Sequence, residues 1–184
     1  MTESERTILA ACRQGNTEAF KTLVETYQHY AFRVAFRLLS DSEGARDVVQ
    51  ESFIRIWKHR RKIDPQKKFT TWLYRIVTNL CYDRLKSPAA RTDSLDSALS
   101  ERLVSGENPE KSVSDKEIVD IIHRFIRFLA PKQKLVFVLR DIECLSMKEV
   151  SAITGIRTGA VKTHLYLARR AVRNYLKELG IYHA

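Results

Sequence analysis

Apolar residues recur three and four positions apart over most of the chain, the spacing of one face of an α-helix. Between residues 17 and 39 the stripe is Phe20, Leu23, Val24, Tyr27, Ala31, Val34 and Leu38, which predicts one long helix. Similar stripes predict helices over residues 2–12, 42–59 and 70–86 before it and after it, and then over 115–129, 131–143, 147–154 and 158–179. Pro131 suits the first turn of its helix, where no N–H is needed. No strand-like alternation or internal repeat competes with this pattern. Residues 87–116 break it: they hold seven serines with Pro88, Gly106 and Pro109, and few apolar residues. The expected architecture is therefore all-α, with two small helical domains, residues 1–86 and 117–184, joined by a flexible linker over residues 87–116.

The pattern is most specific near the C-terminus. Ser146 followed three residues later by Glu149 reads as a capping box that starts a short helix. Gly155 ends that helix, Ile156 can pack inside the bend, and Thr158 can cap the next helix. A short capped helix, a glycine turn and a longer helix form a helix-turn-helix. In the longer helix Val161, Leu165, Ala168, Val172 and Tyr175 fall on one side. Lys162, Thr163, Tyr166, Arg169, Arg170 and Arg173 fall on the other. From Arg157 to Arg173 there are five basic residues and no acidic one. An ordinary solvated face mixes signs, so this one reads as a DNA-contacting face, with Arg and Lys on phosphate or guanine and Thr158 to Thr163 entering the major groove first.

Two further faces carry chemistry. From Arg55 to Lys68 there are seven basic residues, Lys62, Lys67 and Lys68 among them, against one acid, Asp64. The helix that follows is expected to bury Leu73, Ile76, Val77 and Leu80 and to present Tyr74, Arg75, Thr78, Asn79, Tyr82 and Lys86. Rings, amides and cations together suit unstacked bases. The plainer reading, tyrosines half-buried where helices pack, has similar weight until the basic loop is added. In the helix of residues 42–59, Ala45, Val49, Phe53 and Ile56 make the expected core stripe. The opposite face holds Asp47, Gln50, Glu51 and Lys58 around Ile54. That reversal of sign disfavours DNA and favours a protein partner.

Charge sharpens this picture. The net charge is +10 and the pI about 9.7, which points to a polyanionic partner. Residues 1–86 carry 16 basic and 10 acidic residues, residues 117–184 carry 12 and 6, and the stretch between them 4 and 6. Two basic domains on a slightly acidic tether suggest two contacts along one polyanion. No apolar run approaches the length of a membrane span, and Met1 to Cys12 lacks the apolar stretch of a signal peptide, so the expected location is cytoplasmic. Cys12, Cys81 and Cys144 are isolated, which argues against a disulfide framework or a metal site. No cofactor motif and no nucleophile–base constellation stands out.

Three stretches in order resemble the bacterial RNA polymerase sigma factors: Asp47-Val48-Val49-Gln50-Glu51-Ser52-Phe53, Trp72 to Asn79, and Ser146 to Arg170. Small size and a single linker are similar to the extracytoplasmic-function group, which keeps only domains two and four. The resemblance covers nearly all of the chain outside the linker. It implies that Asp47, Gln50, Glu51 and Ile54 dock on the clamp of the polymerase largest subunit. It implies that Lys62, Lys67, Lys68, Arg75, Asn79 and Tyr82 recognise and hold open the −10 element. It implies that the helix-turn-helix, through Arg157, Thr158, Lys162, Thr163, Tyr166, Arg169, Arg170 and Arg173, reads the −35 element and that this domain touches the polymerase flap. An anti-sigma factor or other regulator is a further implied partner. Two departures matter: members of the family often have Gly where Cys144 stands and Thr where Ala160 stands. Rival readings are a DNA-binding regulator with a helical effector domain and an adaptor that binds polymerase without reading DNA.

Overall fold

The computed structural model describes residues 2–87, 121–122 and 124–181, and all regular structure among them is helical. The chain divides into two compact units, Met1–Cys81 with Ala152–Gly155, and Tyr82–Ser151 with Ile156–Ala184. The linker expected at 87–116 and the start of the helix expected at 115 lie outside the described residues, apart from Ser87.

The first unit is built on α1 (Glu3–Gln14), α2 (Thr17–Leu39), α3 (Ser42–Lys58) and most of α4 (Phe69–Lys86). The first three have a side-chain cap at the N-terminus. Thr2 accepts from the Glu5 amide, Asn16 from the Ala19 amide, and Asp41 from the amides of Glu43 and Gly44. Each also has an acid in its first turn, where the helix dipole favours negative charge. α1 runs two residues past the expected Cys12 because Gly15 supplies the left-handed C-cap, with φ of 94°. A side chain at Gly15 would also meet the Arg60 guanidinium, whose Nε lies 3.3 Å from the position of an added Cβ. α2 packs on both α1 and α3. Leu9, Leu23, Val34, Leu38, Val48 and Ile56 are fully buried there, each worth roughly 1.5–3 kcal/mol relative to exposure.

The second unit holds residues 121–126, helical except that residue 123 is not described, and then α5 (Pro131–Phe137), a π-helical turn (Val138–Ile142), the start of α6 (Met147–Thr154) and α7 (Thr158–Glu178). The single helix expected over 131–143 is thus α-helical only to Phe137; the amide of Glu143 then bonds the carbonyl of Val138, a five-residue step. α5 packs against α7, which buries Val161, Leu165, Ala168 and Val172 as the spacing predicts, and Leu176 where the spacing places Tyr175. Tyr175 is half-buried and stacks on Phe125 at 4.3 Å.

The turn chemistry at α6 agrees with the sequence. The Ser146 hydroxyl accepts from the Glu149 amide at 3.2 Å, and Glu149 accepts from the Ser146 amide at 3.0 Å. Gly155 has φ of 71°, and across that bend the Ser151 hydroxyl donates to the Ile156 carbonyl at 2.7 Å. One expectation fails: Thr158 is the first residue of α7 rather than its cap. Arg157 occupies the cap position and no side chain caps the helix.

Candidate nucleic-acid and protein interfaces

On α3 the core stripe is Ala45, Val48, Ser52, Phe53 and Ile56, with Val49 only half-buried. This leaves Asp47, Gln50, Ile54 and Lys58 exposed and Glu51 beside them. Ile54 is 40% exposed, a large apolar side chain inside a polar ring. Glu51 accepts from Arg55 Nε at 2.7 Å, and that bond lowers its pKa. Glu51 is therefore ionised at neutral pH on a face that is partly apolar.

The basic loop between α3 and α4 is organised by its single acid. The Asp64 carboxylate accepts from the Gln66 amide at 3.0 Å and from Lys67 Nζ at 3.1 Å, and its carbonyl accepts from the Lys67 amide. The amide of Gln66 and the side chain of Lys67 hold the Asp64 pKa below its usual value. Ionised Asp64 thus fixes the turn on which Lys67 and Lys68 are exposed. The pattern Asp-Pro-Gln-Lys carries this signal in the sequence, although the sequence reading counted Asp64 only as a lone acid. Lys62 is exposed at the end of a 3-10 turn, Arg60–Lys62. Arg60 is spent on packing: it lies 4.7 Å from the Trp57 ring centre and donates to the Trp57 carbonyl.

α4 is rotated from its expected orientation. Its buried residues are Phe69, Leu73, Tyr74, Val77, Thr78 and Cys81, while Ile76 and Leu80 are only half-buried. Tyr74 and Thr78, expected to face a nucleic acid, point inward; Thr78 donates to the Tyr74 carbonyl at 2.7 Å. The rings decide this, since Phe69 packs on Tyr27 at 5.0 Å and draws the start of α4 round. Arg75 and Asn79 remain exposed, and Tyr82 is half-buried with the Lys86 ammonium 5.2 Å from its ring centre.

On α7, Arg157, Thr158, Lys162, Thr163, Arg170 and Arg173 are exposed, and Tyr166 is 64% exposed. Lys162, Tyr166, Arg169, Arg170 and Arg173 line one side of a shallow hollow that reaches Met147 and Leu165. Arg169 differs from its neighbours. Its Nε and Nη2 donate to the two oxygens of Asp141 at 2.8 and 2.6 Å, which raises its pKa. The sequence reading missed Asp141, and the 28 residues between the two gave no local signal. Among the described residues no group of three or more His, Cys, Asp or Glu could hold a metal ion. No described helix is long and apolar enough to cross a membrane.

Known proteins share both halves of this layout. Residues 23–92 match sigma-70 region 2 and residues 120–172 match sigma-70 region 4. The ECF RNA polymerase sigma factor SigW of Bacillus subtilis is 34% identical over 176 residues, covering 91% of this chain and 94% of that protein. The ECF RNA polymerase sigma-E factor of Escherichia coli K12 is 29% identical over 184 residues, covering 96% of each. Among solved structures, that of CnrH in complex with the cytosolic domain of CnrY aligns with a TM-score of 0.69 at 23% identity, over 96% of this chain and 99% of that one. The sigma factor RpoE of Bartonella quintana, in complex with the anti-sigma factor NepR, aligns with a TM-score of 0.64 at 19% identity, over 88% and 98%. The last two show the fold alone. The chain belongs to the ECF group of RNA polymerase sigma factors, and it is a transcription initiation factor that directs polymerase to promoters.

Proposed function

We propose that the chain engages polymerase and promoter through three separate faces. Asp47, Gln50, Glu51 and Ile54 on α3 dock on the clamp of the largest subunit. Lys62, Lys67 and Lys68 with Arg75, Asn79 and Tyr82 take the −10 element and hold its open strand. Arg157, Thr158, Lys162, Thr163, Tyr166, Arg170 and Arg173 take the −35 element, and the same domain meets the flap. Residues 1–86 and 117–184 act as sigma domains two and four, tethered by 87–116. The factor works in the cytoplasm and contributes no catalytic chemistry of its own.

The observation that carries this reading is the contrast between α3 and α7. One exposes an isoleucine among acids and amides. The other exposes cations and a tyrosine, with no acid from Arg157 to Arg173. A surface for an acidic polymer does not carry the first pattern, and a protein-docking surface depleted of charge does not carry the second. Regulation by an anti-sigma factor rests on the fold shared with the Bartonella factor held by NepR.

The test uses purified chain and core polymerase. The two are expected to co-elute, and the mixture to give run-off transcripts from a small subset of genomic fragments. Co-elution without promoter-directed transcripts would point to an adaptor instead. DNA binding without co-elution would point to a free-standing regulator.

A further inference from the structure

Asp141 and Arg169 form a pin between two parts of the helix-turn-helix unit. Asp141 lies on the π-helical turn and Arg169 in the fourth turn of α7. The pair is bidentate, at 2.6 and 2.8 Å, the fork geometry that an arginine and a carboxylate satisfy best. The wide turn carries Asp141 out of the register that a continued α-helix would give it, and π turns of this kind cluster at functional sites. The Asp141 side chain is 21% exposed and that of Arg169 is 52% exposed, so the pair is held at the rim of the basic face rather than in the core. Arg169 lines the same hollow as Lys162, Tyr166, Arg170 and Arg173. Among the cations from Arg157 to Arg173 it has a carboxylate in bidentate contact.

We infer that Asp141 is a specificity-determining positioning residue, which withholds Arg169 from the DNA phosphates and fixes the attitude of α7 on its scaffold. The inference rests on the reading of α7 as the helix that enters DNA. Its physical basis is the division of labour between phosphates and bases. A cation free to reach phosphate strengthens binding to every sequence alike, through release of counterions. Neutralising one such cation in place lowers that common affinity without touching contacts to base edges. A shift common to every sequence leaves the ratio between promoter and other DNA unchanged, because specificity is a difference of affinities, so discrimination comes from a second effect of the pair. The same bond restrains rotation of α7, so the residues before Arg169 meet the groove in one orientation.

The experiment measures binding of holoenzyme to a promoter duplex that it transcribes and to an unrelated duplex of equal length, across a range of salt. Asp141→Ala is expected to strengthen binding to the unrelated duplex and to steepen the slope of log K against log salt by about one unit, the value for one further phosphate contact. Its preference for the promoter should fall. Asp141→Asn, which keeps the shape of the side chain, should do the same, and circular dichroism should show unchanged helix content in both. Asp141→Ala combined with Arg169→Ala removes a neutral pair, and its slope should return to that of the parent. Lys162→Ala controls for the reading itself and should flatten the slope. If Lys162→Ala flattens it while both Asp141 variants leave it unchanged, the inference alone is overturned. A double variant about one unit flatter than the parent would also overturn it, since Arg169 would then be touching phosphate despite the pair. An unchanged slope in all of these variants would overturn the reading of α7 and the inference together.

Discussion

Cys144 has φ of 56°, in the left-handed region, and its side chain is exposed. A residue with a Cβ pays roughly 1–2 kcal/mol to sit there, and glycine does not. This gives a physical reason why sigma factors often carry glycine at the corresponding place. Part of the gain from glycine is lost to the greater freedom of its unfolded chain, roughly 0.5–1 kcal/mol. Cys144→Gly should therefore stabilise the second unit modestly, by about 0.5–1 kcal/mol, seen as a higher urea midpoint with an unchanged m-value. A lower midpoint would show that the thiol contributes more than the backbone strain costs. The other two cysteines are buried, and burial raises the Cys12 pKa to about 11. At neutral pH an alkylating reagent should modify Cys144 first, with Cys12 and Cys81 labelled only as the chain unfolds; mass spectrometry of peptides would report the order.

At the scale of elements, the sequence predicts the existence and order of the helices well, because stripes such as Val161, Leu165, Ala168 and Val172 have one reading as a helix and none as a strand. It predicts helix rotation less well. α4 offers two overlapping apolar stripes, Leu73-Ile76-Val77-Leu80 and Phe69-Leu73-Tyr74-Val77-Cys81, and only tertiary packing of Phe69 on Tyr27 selects the second. Cap chemistry was legible at Ser146 and Glu149 because both partners are local. The Asp141–Arg169 pair was not, since it depends on how α7 lies against the turn after α5. On α3 the predicted face stays outward, so Asp47→Arg with Glu51→Arg should weaken binding to core polymerase and leave the circular dichroism spectrum intact. Normal affinity in that variant would remove α3 from the interface. On α4 the inward turn of Tyr74 leaves Asn79 and Tyr82 as the residues proposed to meet unpaired bases, each base–ring stack being worth about 1–3 kcal/mol. Asn79→Ala and Tyr82→Ala should impair melting of a duplex promoter, read by permanganate reactivity of thymines, and a promoter with a pre-opened −10 bubble should relieve the defect in opening. Equal loss on both templates would mean that the face binds DNA without selecting the open strand.

For the molecule as a whole, charge is divided between two basic units, and the structure adds how that charge is kept in place. Lys67 is tied to Asp64, Arg60 to Trp57, and Arg169 to Asp141, so part of the basic surface is ordered by local partners. The start of α7, like that of α5, is left open. α1, α2 and α3 each begin with a side-chain cap and an acid, whereas α7 begins on Arg157 with neither. Its first amides have no side-chain acceptor, and their dipole is not offset by a carboxylate. A phosphate oxygen arriving there would act as the missing cap. Amide hydrogens of residues 158–160 should exchange rapidly in the free factor and become protected on promoter duplex. The Ala19 amide at the start of α2, closed by Asn16, should exchange slowly and at the same rate in both states. Slow exchange at residues 158–160 without DNA would mean that the turn is finished in the chain itself and owes nothing to its target.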